Sequence, residues 1–252
     1  MKVVGIIPAR YNSTRFPGKP LAMIKGKTMI RRVCEQAWKS KLNAVVVATD
    51  DMRIADEVMG FGGQYVLTDP NHRSGTDRCR EALSLLDNPY DAIVNIQGDE
   101  PFIDPEQINQ VIELISRDDT QLASLAKRIE DEDELFSPNT VKVVMGQGGN
   151  AMYFSRNPIP FMRNLDRKEW LKNGVFFKHI GIYAYKAETL RQIAKMRPSS
   201  LEISESLEQL RWLENGLSIR MGITESENVS IDLPTDIAKA EHFAQNQTIG
   251  TK

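Results

Sequence analysis

Ile6-Ile7-Pro8-Ala9-Arg10-Tyr11-Asn12-Ser13-Thr14-Arg15-Phe16-Pro17-Gly18-Lys19-Pro20-Leu21 is the stretch that sets the reading of this chain. The apolar run from Val3 to Ile7 reads as a short buried strand. It empties into a loop carrying Arg10, Arg15 and Lys19, whose backbone path is fixed by Pro17, Gly18 and Pro20. Residues 1–34 hold eight Lys or Arg and no acid, on a chain of net charge −2, so the remainder sums to −10. A loop at a strand's carboxyl end, three cations and a helix to follow suit a polyphosphate. The competing reading is a solvated basic surface loop.

Outward from that loop, apolar positions at Met29, Ile30, Val33, Cys34, Ala37 and Trp38 make a helical stripe with Thr28 as its N-cap. Ala44 to Ala48 is a β-branched run ending in Thr49-Asp50, followed by a helix from Asp51 to Met59 and a short strand from Gln64 to Leu67. Ser74 to Leu86 reads as a helix, Ala92 to Gln97 as a strand running into Gly98-Asp99-Glu100-Pro101, and Pro105 to Ile115 as a helix. Strand and helix alternating four times predict a Rossmann-like, doubly wound, mostly parallel sheet.

Past residue 120 the pattern changes to a smaller α+β insertion. Asp131-Glu132-Asp133-Glu134 reads as an acidic surface loop, and Val141 to Met145 with Ala151 to Phe154 as a hairpin. A strand is expected over Ile180 to Tyr185, and helices over Ala187 to Met196 and Ile203 to Leu213. Ile231-Asp232-Leu233-Pro234 should end a last strand and start the C-terminal helix.

Composition sets the bounds. With 252 residues, 41% hydrophobic and 26% charged, the chain can bury a full core. No basic stripe outlasts the first 34 residues, so no nucleic acid is expected as partner. No apolar run approaches the roughly 18 residues that span a bilayer, and Cys34 and Cys79 suit two reduced thiols; the expectation is a cytoplasmic protein.

In an open parallel sheet the ligand lies beyond the strands' carboxyl ends. Pro8-Ala9-Arg10, Thr49-Asp50, Gln97-Gly98-Asp99 and Asp232 are the polar groups expected there. A carboxylate facing a cationic phosphate loop calls for a divalent cation, and Mg²⁺ suits one or two carboxylates plus phosphates and water. The bland alternatives are a strand-breaking turn at Asp99 and a helix N-cap at Asp232. Neither GxGxxG nor GxxxxGK[ST] is present, so the phosphate site is of another kind. Ser74-Gly75-Thr76-Asp77-Arg78 opens a helix and reads either as a plain N-cap or as backbone brought close to a nucleobase. His179 and Tyr183, with Gly181 between, read as core or as ligand contacts, and Glu208 with Arg211 as a surface pair.

Seven segments then resemble the 3-deoxy-manno-octulosonate (Kdo) cytidylyltransferase family. They are Ile7 to Tyr11 with Ser13 to Leu21, Ser74 to Arg78, Val94 to Pro101, Ser155-Arg156-Asn157-Pro158-Ile159-Pro160, His179 to Tyr185, Glu205 to Arg211 and Ile231 to Asp236, in family order. Asn157 stands where that family usually has alanine, and Arg73 is variable in it. The resemblance implies one nucleotidyltransferase domain over residues 1–252, with about 130–222 serving sugar binding and homodimerisation. It implies that Arg10, Arg15 and Lys19 hold the CTP phosphates, that Pro8, Ala9, Arg73, Ser74 and Gly75 surround the nucleoside, and that Asp99 and Asp232 bind Mg²⁺. Lys19, Arg15, Asp99 and Asp232 would be catalytic, and Gln97, Arg156, Arg163, His179, Tyr183, Glu208 and Gln209 would line the Kdo pocket. The reaction implied is activation of Kdo by CTP for lipopolysaccharide biosynthesis. Another acidic sugar (8-amino-Kdo or a sialic acid) and a non-catalytic nucleotide-binding protein are the alternatives.

Overall fold

The computed structural model describes residues 1–72 and 74–249. In chain order the elements are β1 (Val3–Ala9), β2 (Met23–Ile24), β3 (Lys27–Thr28), α1 (Met29–Ala37), β4 (Ala44–Thr49), α2 (Met52–Gly60), β5 (Gln64–Leu67), α3 (Gly75–Ser84), β6 (Ala92–Asn95) and α4 (Pro105–Ile115). They continue with β7 (Leu122–Arg128), α5 (Glu132–Phe136), β8 (Lys142–Met145), β9 (Ala151–Ser155), α6 (Trp170–Asn173), β10 (Phe177–Lys186), α7 (Ala187–Ile193), α8 (Ser200–Glu205), α9 (Gln209–Glu214), β11 (Arg220–Ile223) and α10 (Asp236–Ile249). Two compact units result: Met1–Ile112 with the chain from Glu227 onward, and Glu113–Ser226.

In the first unit β1, β4, β5 and β6 are all parallel, in the order β6-β1-β4-β5. Val3 to Ile7, Val45 to Ala48 and Ala92 to Val94 pack at the centre of this α/β unit. The chain order along the sheet reverses between β1 and β6, and loops leaving the two strands diverge there, opening a crevice at their carboxyl ends. Gly98 closes its floor: a Cβ on it would stand 2.8 Å from the Pro8 carbonyl oxygen. Gly98→Ala is therefore expected to cost about 1–3 kcal/mol of stability, as read by thermal melts of the parent and the variant.

The strand expected to end at Ile231-Asp232 does not form: β11 stops at Ile223, and 224–235 reach α10 without a strand. Ile231 donates its N–H to the Asp99 carbonyl (3.0 Å), and its side chain is buried with Ile24, Met29, Phe102 and Ala240. One buried isoleucine is worth about 1.5–3 kcal/mol, so packing and local hydrogen bonds, among them the Asp232 N–H to Asp236 Oδ2 (3.1 Å), place Asp232. The polar run Thr224-Glu225-Ser226-Glu227-Asn228 offers no alternation to extend a ladder.

The second unit carries two strands the sequence reading left without an element. β7 pairs antiparallel with β10 and parallel with β11, and the β8–β9 hairpin joins through β8 to β10. In β7, Leu122-Ala123-Ser124-Leu125-Ala126 is buried throughout yet contains no β-branched residue. β11 contains Gly222, where a Cβ would meet Leu125 Cδ2 at 2.9 Å. The acidic tetrad is not a loop: Asp131 caps α5 through the Glu134 N–H, and acids in that first turn suit its dipole. The helix expected over 203–213 is broken at Ser206, which takes a left-handed backbone (φ 53°). Arg156 takes the Glu205 and Ser206 carbonyls through Nε and Nη2 (2.8 and 3.3 Å), oxygens that a continuous helix would have used itself.

Candidate active site

One cleft in the first unit gathers Pro8, Ala9, Arg10, Arg15, Lys19, Ser74, Gly75, Gln97, Asp99 and Asp232. Arg73 lies outside the described residues. β1 delivers Pro8 and Ala9, the loop after it delivers the cations, and the turn after β6 delivers Gln97 and Asp99. At the mouth of α3, Ser74 caps the helix by accepting the Asp77 N–H (3.1 Å), so Gly75 presents backbone without a side chain.

Lys19 is the hub. Its ammonium donates to Asp99 Oδ2 (2.6 Å) and to the Ile231 carbonyl (2.9 Å), and stands 3.5 Å from Asp232 Oδ1. Arg15 forks onto Asp232, at 3.1 and 3.3 Å. Two carboxylates thus converge on one cationic point, with hard oxygen donors and room for more ligands from solvent or phosphate. Among the described residues no three His, Cys, Asp or Glu gather as a metal group. That donor set fits Mg²⁺, which keeps phosphate and water ligands, and does not fit a zinc-type cage.

Four further residues line the cleft to which sequence reasoning gave no ligand role: Ser13, Pro20, His72 and Arg78. The buried Arg78 donates to Thr68 Oγ1 (2.5 Å) and Asp50 Oδ2 (3.0 Å), which ties α3 to the end of β4. Asp50, expected at the ligand edge, is taken by that pair. His72 Nε2 meets the Glu81 carboxylate, which also accepts the Asp69 N–H. The only advance signal for Arg78 was its place in the Ser74 to Arg78 segment.

The remaining candidates belong to the second unit. The His179 and Tyr183 rings lie 5.1 Å apart between centroids, tilted by 42°, and β10 has a bulge between Ile180 and Tyr183 instead of plain alternation. Tyr183 packs edge-on against Trp212 at 5.0 Å, and its hydroxyl is buried without a hydrogen-bond partner among the described residues. Burial, then the Glu208 charge, raise the Tyr183 phenol well above its usual range. Gln209 is buried and begins α9, with Glu208 just before it. The Glu208–Arg211 pair forms at 3.8 Å, but it is partly buried and secondary, because Arg211 forks onto Glu202 at 2.5 and 2.7 Å. Arg156 spends Nε, Nη1 and Nη2 on the carbonyls of Glu205, Pro138 and Ser206. Arg163 is exposed between β9 and α6, and no hydrogen bond or ion pair joins it to this group among the described residues.

Burial beside Phe154 and Tyr183 lowers the His179 imidazole to about 3, with Nε2 at 3.0 Å from Ser124 Oγ. The unfolded chain takes up that proton near pH 6.5 and the folded ring only near 3, so stability falls as pH drops through that window. Between pH 7 and 5 the parent should lose about 1 kcal/mol more than His179→Gln, after discount for the ring's access to water. Urea unfolding of both at the two pH values checks this; equal losses would mean that the folded ring protonates as readily as the unfolded one.

A family profile described as cytidylyltransferase matches residues 4–219, which defines the class of protein to which this sheet and cleft belong. The 3-deoxy-manno-octulosonate cytidylyltransferase of Parabacteroides distasonis is 54% identical over 251 residues, covering 98% of this chain and 100% of its own. That of Cytophaga hutchinsonii is 54% identical over 244 residues, covering 96% and 97%. A solved structure of CMP:2-keto-3-deoxy-manno-octonic acid synthetase complexed with CTP superposes with a TM-score of 0.91 at 38% identity, covering 98% of this chain and 100% of that one. The chain belongs to the 3-deoxy-manno-octulosonate cytidylyltransferase family.

Proposed function

We propose that this chain transfers the cytidylyl group of CTP to Kdo, giving CMP-Kdo and diphosphate for lipopolysaccharide biosynthesis. The observation that carries the reading is the Lys19 ammonium held between Asp99 and Asp232 in a cleft lined by Arg10 and Arg15. The anomeric hydroxyl of the sugar gives up its proton to solvent as its oxygen attacks the α-phosphorus in line, and the bond to the β-phosphate oxygen breaks with its electron pair leaving on diphosphate. Positioning and charge neutralisation supply most of the rate in such transfers. Pro8, Ala9, Ser74 and Gly75 receive the nucleoside, and Arg10, Arg15 and Lys19 take the phosphate charge. Lys19 and Arg15 release their carboxylates as the phosphates arrive, and Asp99 and Asp232 are the residues that would hold Mg²⁺. When bound, the ion supplies charge neutralisation at the α-phosphate and a lowered pKa for the attacking hydroxyl.

On the sugar side, the orphaned Tyr183 hydroxyl together with His179, Glu208 and Gln209 suits a polyhydroxylated ligand. With Arg156 committed to main-chain carbonyls, pairing with the sugar carboxylate falls to Arg163. Exposed Met152, Phe161 and Ile203 support a homodimer formed through the second unit. No helix among the described residues is long and apolar enough to cross a membrane, and we place the reaction in the cytoplasm.

Diphosphate release from CTP and Mg²⁺ with Kdo, 8-amino-Kdo and sialic acid supplied separately tests the assignment. Release with Kdo, stopped by EDTA, is expected. Release with the amino sugar alone would move the substrate, and CTP binding without release for any sugar would reduce the site to a binding site.

A further inference from the structure

The cationic loop closes on itself around one residue. The Tyr11 carbonyl accepts the N–H of Ser13 (2.9 Å) and of Gly18 (2.8 Å), so the chain from Arg10 to Lys19 returns to its own start. Gly18 has φ 73°, and a Cβ there would stand 3.1 Å from the Tyr11 ring, so the loop's return leg lies directly against that ring. A second element reaches the same ring. Arg53, in the first turn of α2, lays its guanidinium carbon 3.3 Å from the Tyr11 ring centroid. Its orientation is set by Asp51, which accepts from Nε (2.9 Å) and Nη2 (2.6 Å) and also caps α2 through the Arg53 N–H (2.9 Å). Neither Tyr11 nor Arg53 lines the cleft.

We infer that Arg53 is a positioning residue for nucleotide binding: stacked on Tyr11, it holds the loop in the closed form that presents Arg10, Arg15 and Lys19 to the phosphates. The inference rests on reading that loop as the triphosphate site. Arg15 and Lys19 pair with Asp232 and Asp99 in the free protein and exchange those partners for phosphate in the proposed reaction, so these pairs do not hold the loop while the nucleotide binds, and open forms compete with the closed one. A planar cation fixed over the ring face from a neighbouring helix counters that at little cost in new ordering, because Asp51 has already oriented it. The gain is preorganisation, which is read in affinity for CTP and not in the rate of the bound complex.

Calorimetric titration of CTP into the parent, Arg53→Leu, Tyr11→Leu, Tyr11→Phe and the double leucine variant tests this. Arg53→Leu and Tyr11→Leu should each bind about threefold to tenfold more weakly, and the double variant no more weakly than the worse single one. Tyr11→Phe, which keeps the ring face, should bind as the parent does. In steady state Arg53→Leu should raise KM for CTP by the same factor while kcat at saturating CTP and KM for Kdo stay put. Should Tyr11→Leu not fold, exposed Arg53→Leu and Arg53→Met carry the test alone. Parent-like affinity in Arg53→Leu, or losses that add in the double variant, would overturn the inference and leave the phosphate loop intact. A parent that binds no CTP would overturn both.

Discussion

Asp99→Asn is expected to lower turnover by about 10³-fold or more while the melting temperature stays near the parent's. The substitution keeps the shape of the side chain, and Asp99 is partly exposed where it meets Lys19, so the core is untouched. What goes is the charge. Asp99 is one of two carboxylates converging on a single cationic point, and in the proposed reaction it holds the divalent ion against the phosphates. Metal-assisted charge neutralisation is worth several kcal/mol, and each ~1.4 kcal/mol is a tenfold change in rate. The loss should persist at saturating CTP, and raising Mg²⁺ should recover little of it. Near-parent turnover at high Mg²⁺ would return Asp99 to a turn residue that happens to pair with Lys19.

Lys19→Ala should reduce kcat/KM for CTP by about 10²–10³-fold, the scale seen when one preorganised donor on developing charge is removed. Two effects combine. The leaving diphosphate loses a cation, and in the free protein Asp99 and Asp232 face each other without the ammonium that stands 2.6 and 3.5 Å from them. Lys19→Arg should not restore the parent, because the site uses a point charge shared between two carboxylates and a carbonyl, and a planar fork does not reproduce that. The KM for Kdo should change little. Unaltered kinetics with CTP would make the basic loop a solvated surface feature.

These two residues also mark how far the sequence could be read. β1, β4 and β6 were legible because a strand buried on both faces is a continuous apolar run, as in Val3 to Ile7 and Ala44 to Ala48. Once the strands were placed, the carboxyl-end rule brought Arg10, Arg15, Lys19 and Asp99 to one edge. β7 was not legible, since Leu-Ala-Ser-Leu-Ala is as good a helix as a strand until β10 and β11 pair with it. The break at Ser206 was hidden for a related reason: Ile203 to Leu213 keeps a helical stripe, and the interruption comes from Arg156, some fifty positions away. That same commitment of Arg156 changes its proposed role, from a fork on the sugar to a pin on the corner that presents Glu208 and Gln209. Motif matching alone cannot separate those roles, because both need the same arginine at the same place.

Asp232 is the clearest case of a residue whose type was readable and whose delivery was not. Ile231 buries its side chain, its N–H goes to Asp99 and its carbonyl to Lys19. The main chain beside one carboxylate is thereby tied to the other carboxylate and to the cation between them. No strand is needed to put Asp232 in place.

The most direct measurement is ³¹P NMR of CTP, Kdo and Mg²⁺ incubated with the protein. The account predicts a phosphodiester signal for CMP-Kdo growing one for one with diphosphate, and neither signal without the sugar. Loss of CTP to free CMP and diphosphate at the same rate with or without Kdo would contradict it, since the nucleophile would then be water and the second unit would hold no part in the transfer.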